Sequence, residues 1–186
     1  NVDYLENLAT LHVKIKQFSQ AIMVADAGLT VSANHKGLLH RKAVALVGMR
    51  RAAEAIGIFN ELLKLDPNNY VAVNECAVAL AMLERFEEAA DLFSKLVNGA
   101  PTYPDGFYNF GKMLHDLHQL EDAKQLYEHA LDLNPQHGDA LHGLVQVFEA
   151  MGRVEDAIAT CERALKVTET ANLHVRFGTL QLWQRK

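Results

Sequence analysis

A repeat of 34 residues constrains this chain more than any other feature of its sequence. Three of its four prolines are spaced by 34, and an alanine recurs at that spacing five times. A bulky aliphatic residue follows each alanine by eight positions. The prolines are Pro67, Pro101 and Pro135, the alanines are Ala21, Ala55, Ala89, Ala123 and Ala157, and the aliphatic residues are Leu29, Leu63, Val97, Leu131 and Leu165. This period indicates stacked supersecondary units, because a unit this short cannot bury its apolar face alone.

Each period predicts two amphipathic helices. Within residues 104–137, apolar and small residues recur twice at helical spacing, on either side of a polar break at His118 and Gln119. Pro135 ends the second helix, since proline has no N–H to donate. The two stripes are Phe107, Phe110, Gly111 and Leu114, then Leu120, Ala123, Tyr127, Ala130 and Leu131. The sequence therefore predicts an all-α fold of helix, tight turn, helix and loop in each unit.

These stripes resemble the tetratricopeptide repeat (TPR) family. The resemblance divides the chain into five repeats and implies one TPR domain over residues 1–186, a right-handed superhelical solenoid of helix-turn-helix hairpins. A helix at 172–186 is expected to be a cap or half of a sixth repeat, with a period of 33 or 34. The repeats are 2–35, 36–69, 70–103, 104–137 and 138–171. Departures from the family pattern are His12, Ala25, Gly28 and Ala33 in the first repeat, then Lys42, Leu96, Val145 and Glu169.

Composition and motifs exclude several other classes. The net charge of −5 argues against a general nucleic-acid binder, and the longest apolar run, Cys76 to Leu83, is too short to insert into a membrane. Cys76 and Cys161 occupy core positions, so we expect packing thiols in a reducing compartment, with cytoplasm favoured. No catalytic motif is present, so we expect no enzyme and no cofactor. His115, His118 and His142 with neighbouring carboxylates raise a metal hypothesis, but solvated side chains are the favoured interpretation and no metal is expected.

The family resemblance implies a groove in which the first helix of each repeat contacts a peptide. Transferred position by position, the groove residues fall mainly on repeats two to five. They are His40, Arg41, Val44, Val47, Val71, Asn74, Val78, Met82, Asp105, Tyr108, Asn109, Lys112, His115, Asp139, His142 and Gln146. The valines are expected either to be covered by a partner or to be half-buried against the neighbouring repeat. Tyr108 is an amphipathic anchor of the kind enriched at interfaces.

Charge suggests how a partner segment binds. Residues 1–53 carry a net charge of +4 and residues 54–186 carry −9. We expect an acidic part of a partner near His40 and Arg41 and a basic part near Asp105 and Asp139, since complementary fields orient encounters. The chain is accordingly expected to be a scaffold for a protein or peptide partner.

Two alternatives remain open. The first is a self-associating structural module, which the unusual Lys42 and the terminal Trp183 suggest. The second is an accessory, substrate-selecting domain of a larger enzyme such as a transferase. The absence of an initiator methionine at residue 1 leads us to expect a longer protein.

Overall fold

The computed structural model describes residues 1–168 and 170–184, and within those ranges the chain forms eleven α-helices and no strand. The helices are α1 (Val2–Lys14), α2 (Phe18–Val31), α3 (Lys36–Gly48), α4 (Ala52–Leu65), α5 (Tyr70–Met82), α6 (Phe86–Gly99), α7 (Pro104–Asp116), α8 (Leu120–Leu133), α9 (Gly138–Ala150), α10 (Val154–Val167) and α11 (Ala171–Gln184). The predicted all-α class is confirmed. Five hairpins begin at the predicted repeat boundaries, with their first helices spaced by 34 residues.

The helices cluster in two compact units. The first unit spans Asn1–Gly99 and holds α1 to α6, and the second spans Ala100–Lys186 and holds α7 to α11. In the first unit, each hairpin packs on the next through α2 with α3 and α4 with α5. In the second, α8 packs on α9 and α10 on α11. The expected single domain over residues 1–186 stays a prediction.

Small residues let the two helices of a hairpin approach each other. All five period-34 alanines are fully buried on the second helices, where a larger side chain would separate the pair. A large side chain packs beside them in the middle repeats, as with Phe59, Phe93 and Tyr127. In the first repeat that position is Ala25, and Leu38 of α3 fills the space next to it and to Gly28. This packing explains how the most divergent repeat still forms a core.

Every hairpin turn contains one residue in the left-handed backbone region. These residues are Lys16, Arg50, Glu84, His118 and Gly152, with φ between 58° and 70°. They recur at a spacing of 34, so the turn is part of the repeat. Only the last is glycine, which occupies this region without a steric penalty.

The last helix answers the question of its period. Helix α11 begins at Ala171, 33 residues after the start of α9, so the loop before it is one residue shorter than in the other repeats. The predicted helix at 172–186 therefore begins one residue early. Its last two positions, Arg185 and Lys186, and the departure at Glu169 lie outside the described residues.

Two unusual residues of the sequence have local explanations. Lys42 stands where leucine is expected, and its ammonium nitrogen lies 2.7 Å from Asp26 Oδ1 on α2. Trp183 is about half exposed on α11, close in sequence to the exposed Leu182. Cys76 and Cys161 are buried as expected, and burial raises the pKa of the Cys76 thiol to about 11.

Candidate functional site

The predicted groove residues divide evenly between the two units, and each half is described separately. Eight lie on α3 and α5 of the first unit, which we call the α3–α5 surface: His40, Arg41, Val44, Val47, Val71, Asn74, Val78 and Met82. Eight lie on α7 and α9 of the second unit, which we call the α7–α9 surface: Asp105, Tyr108, Asn109, Lys112, His115, Asp139, His142 and Gln146.

Apolar side chains of the α3–α5 surface are covered to different degrees. Val44, Val47 and Val78 are half-buried within the unit, as one of the two alternatives expected. Val71 and Met82 are exposed. Asn74 is only 6% exposed, so its side chain offers a ligand very little area. The apolar strip available to a partner is therefore shorter than the sequence suggests.

His40 and Arg41 carry two buried polar atoms without a hydrogen-bond partner among the described residues. These are Nε2 of His40 and Nε of Arg41. Burial, with a contribution from the Arg41 charge, lowers the pKa of His40 to about 4, so its imidazole is neutral near pH 7. Burial raises the pKa of Glu75 on α5, an effect that Arg41 opposes. Arg41 is thus the cation available on this surface, and a carboxyl group from the protein lies near it.

The α7–α9 surface contains a cavity of about 210 Å³. Six of the eight residues predicted on these helices line it: Tyr108, Lys112, His115, Asp139, His142 and Gln146. Asp116, Tyr127 and Gly143 complete the lining. Tyr127 belongs to α8 and was missed by the groove prediction, because its position in the repeat is a core position. Asp105 and Asn109 are not among the lining residues.

Local sequence fixes the two entrances of α7 and α9. His137 caps α9, with its Nδ1 accepting a hydrogen bond from the Ala140 N–H at 3.2 Å. Because Nδ1 accepts, the ring proton lies on Nε2, which donates to Asp105 Oδ1 at 3.0 Å. The imidazole also packs on Tyr108, with the ring centroids 5.1 Å apart. His137 therefore orients both Asp105 and Tyr108, a role that the sequence did not indicate.

Cations are few around the cavity. Lys112 is the only lysine or arginine in its lining, and its ammonium lies 3.1 Å from Asp116 Oδ2. Burial lowers the pKa of both His115 and His142. The Gln146 amide lies 3.0 Å from His142 Nε2, where it donates to the neutral ring. The cavity is accordingly negative near pH 7.

Carboxylates act on the phenol at the centre of this surface. Burial raises the pKa of Tyr108, and Asp139, Asp116 and Asp105 add to the effect in that order. Asp139 makes no ion pair or hydrogen bond within residues 1–168 and 170–184. Asp139 therefore leaves one free carboxylate facing Tyr108.

Metal and membrane chemistry find no support in the described part of the chain. No group of three or more histidine, cysteine, aspartate or glutamate side chains there could hold a metal ion. His115, His118 and His142 thus do not form the hypothesised metal site. No helix among the described residues has both the length and the apolar character needed to cross a bilayer.

Solved structures with the same fold share little sequence with this chain. A thermophilic TPR protein of Thermus thermophilus superposes with a TM-score of 0.80 at 19% identity, covering 98% of this chain and all 100% of that one. MamA residues 41 to the end from Desulfovibrio magneticus give 0.73 at 18% identity, covering 89% and 94%. YrrB, described as a TPR protein with an unusual peptide-binding site, gives 0.68 at 17% identity, covering 96% and 92%. No curated protein matches the chain.

Sequence models of one family match both units. Tetratricopeptide repeat models match residues 40–105 and residues 114–174. Proteins built from these repeats are generally interaction scaffolds without catalytic activity. With its 34-residue hairpins and the TPR solenoids that superpose on it, this chain is a member of the tetratricopeptide repeat family.

Proposed function

We propose that the chain binds a segment of a partner protein on the first helices of its repeats. The observation that carries this proposal is the cavity of about 210 Å³ on the α7–α9 surface. Six of its nine lining residues were assigned to a groove from their repeat positions alone. Concave, partly apolar cavities with a few convergent polar groups are the usual form of a binding site.

Charge gives each surface its own preference. The α7–α9 surface, with the free carboxylate of Asp139, favours a basic part of the partner. The α3–α5 surface offers Arg41 to an acidic part, because Arg41 Nε has no partner among the described residues. His40 is neutral near pH 7 and adds no positive charge, so this second preference depends on one guanidinium.

A random peptide library displayed on phage tests the proposal. We expect selected peptides to bind the wild-type protein and to lose about tenfold or more in affinity with Tyr108→Ala, since buried tyrosines commonly dominate interfaces. The matched control is Tyr4→Ala, which removes an exposed tyrosine from α1, outside both surfaces. Equal affinities for the two variants, or a library that yields no binder, would refute the proposal.

Arg41→Glu tests the α3–α5 surface separately. Peptides with an acidic cluster should lose affinity for this variant, because the charge that attracts them is reversed. Peptides that bind only through a basic cluster should be unaffected. If both peptide classes respond alike, the charge preference assigned to this surface is wrong.

Exposed apolar residues on α1 favour self-association as a second candidate function. Tyr4 is 64% exposed and Leu11 is 52% exposed. The equivalent residues are buried in every later first helix, as Leu38 and Ala45 are in α3. A second copy could cover this face by packing as a preceding repeat does. Light scattering across concentration, with Leu11→Asp as the disrupting variant, tests it: a monomer at all concentrations removes this candidate.

A further inference from the structure

An unused hydroxyl group lies at the wall of the cavity on the α7–α9 surface. Tyr127 is 1% exposed, and its ring lies between two glycines, Gly111 of α7 and Gly143 of α9. A Cβ added at Gly143 would lie 2.6 Å from Tyr127 Cζ and 2.9 Å from the hydroxyl oxygen. Both residues line the cavity, so the phenol end of Tyr127 is held at its wall by the close approach of α9.

The Tyr127 hydroxyl makes no hydrogen bond with any residue in the described part of the chain. Buried tyrosines normally satisfy their hydroxyl group, because an unpaired polar atom away from water costs free energy. Burial raises the pKa of Tyr127, and Tyr108 and Asp116 add to it, so the group stays protonated at neutral pH. It can therefore both donate and accept a hydrogen bond from a ligand.

The remaining groups of the cavity select the charge of that ligand. Asp139 is exposed and unpaired within the described residues, whereas Asp116 is engaged by Lys112. The Tyr108 ring lies 6.0 Å from the Tyr127 ring, centroid to centroid, and supplies an aromatic face beside the carboxylate. An acidic ligand would be repelled here, and an apolar one would leave the Tyr127 hydroxyl unpaired.

We propose that this cavity binds the guanidinium group of an arginine in the partner segment. The inference rests on the proposed function and names the side chain that the α7–α9 surface recognises. One edge of the guanidinium donates to the Asp139 carboxylate, another N–H donates to the Tyr127 hydroxyl oxygen, and the flat face stacks on Tyr108. A lysine ammonium fits less well, because it has no planar face and no fixed fork of donors.

Nuclear magnetic resonance with a minimal ligand tests the inference directly. The probe is N-acetyl-arginine amide, titrated into the ¹⁵N-labelled protein. We expect saturable shifts of the Asp139 and Gly143 amides, with weaker binding of N-acetyl-lysine amide. The citrulline analogue keeps the shape of arginine without its charge and should give no saturable shift. Equal responses to arginine and citrulline amides would overturn the inference.

Variants assign the binding to individual atoms. Asp139→Asn and Tyr127→Phe should each weaken the arginine probe by about fivefold or more, because each removes one hydrogen-bonding group while keeping the shape of the side chain. Asp91→Asn, an exposed carboxylate on α6 of the first unit, removes the same charge and should leave the affinity unchanged. An unchanged affinity in both cavity variants would overturn the assignment.

The peptide library separates this inference from the proposed function. If selected peptides bind at the α7–α9 surface without enrichment of arginine, the inference is wrong and the proposed function stands. If the arginine probe binds but no library peptide does, the inference holds and the proposed function fails.

Discussion

Replacing His40 by leucine should change how stability depends on pH. His40 lies on α3 with its ring centroid 6.3 Å from that of Phe59, next to the Arg41 charge, and its Nε2 is buried without a partner among the described residues. Burial is the main cause that lowers its pKa from 6.5 to about 4 in the folded protein. The unfolded chain therefore binds a proton at this residue at a higher pH than the folded chain does.

The sign of the effect follows from that difference. Above pH 6.5 the imidazole is neutral in both states, and its contribution to stability is constant. As the pH falls from 6.5 towards 4, the unfolded state binds the proton and the folded state does not, so stability is lost. At one pKa unit per 1.4 kcal/mol, the loss between about pH 7.5 and about pH 5 is about 2 kcal/mol.

Leucine at position 40 cannot bind a proton, so the variant should lack this loss. At about pH 7.5 it should be as stable as the wild type or more stable by about 1 kcal/mol, because the unpaired buried nitrogen is gone. The difference between variant and wild type should then widen by about 2 kcal/mol at about pH 5.

Urea denaturation followed by circular dichroism at each pH measures the difference. The control is His118→Asn, which removes an exposed imidazole and should follow the wild-type curve. The reasoning is refuted if the difference between His40→Leu and the wild type is the same at both pH values. A direct titration of the His40 ring by nuclear magnetic resonance that gives its ordinary pKa would also refute it.

Other predictions concern the turns, the glycines and the thiols. His118→Gly should stabilise by about 0.5–1 kcal/mol and Gly152→Ala should destabilise by about 1 kcal/mol in thermal denaturation, since both positions have positive φ; effects of the same sign would contradict this. Gly57→Ala should stabilise by about 1 kcal/mol, because its Cβ meets open space, whereas Gly28→Ala should cost about 1–3 kcal/mol by overlapping a buried side chain. Equal stabilities would show that the packing is wrong. Cys76 should react with a thiol reagent only after unfolding, and rapid reaction of the native protein would contradict its burial.

The helices were predictable because the repeat fixes them many times over. Each first helix begins where the spacing of 34 places it, and the period-34 alanines are buried as the pattern requires. The register of α11 could not be read from the sequence, because a single partial repeat gives no second example to compare. The left-handed turn residues gave no signal either, since Arg50 and Glu84 have no preference for positive φ.

The site was predictable as a set of positions and unpredictable as chemistry. Repeat positions correctly placed Tyr108, Asp139 and His142 around one cavity. They could not indicate that Tyr127, a core residue by its position, also lines it. They also could not indicate that His40 is neutral, because that depends on how completely its ring is covered.

Mapping a library-selected peptide on the ¹⁵N-labelled protein tests the central claim most directly. The amides of all described helices report where the peptide binds. The account predicts saturable shifts concentrated on α7 and α9 around Tyr108 and Gly143, with those on α8 limited to the turn that carries Tyr127. Shifts concentrated on α1 or on the outer sides of α8 and α10, with α7 and α9 unperturbed, would contradict it.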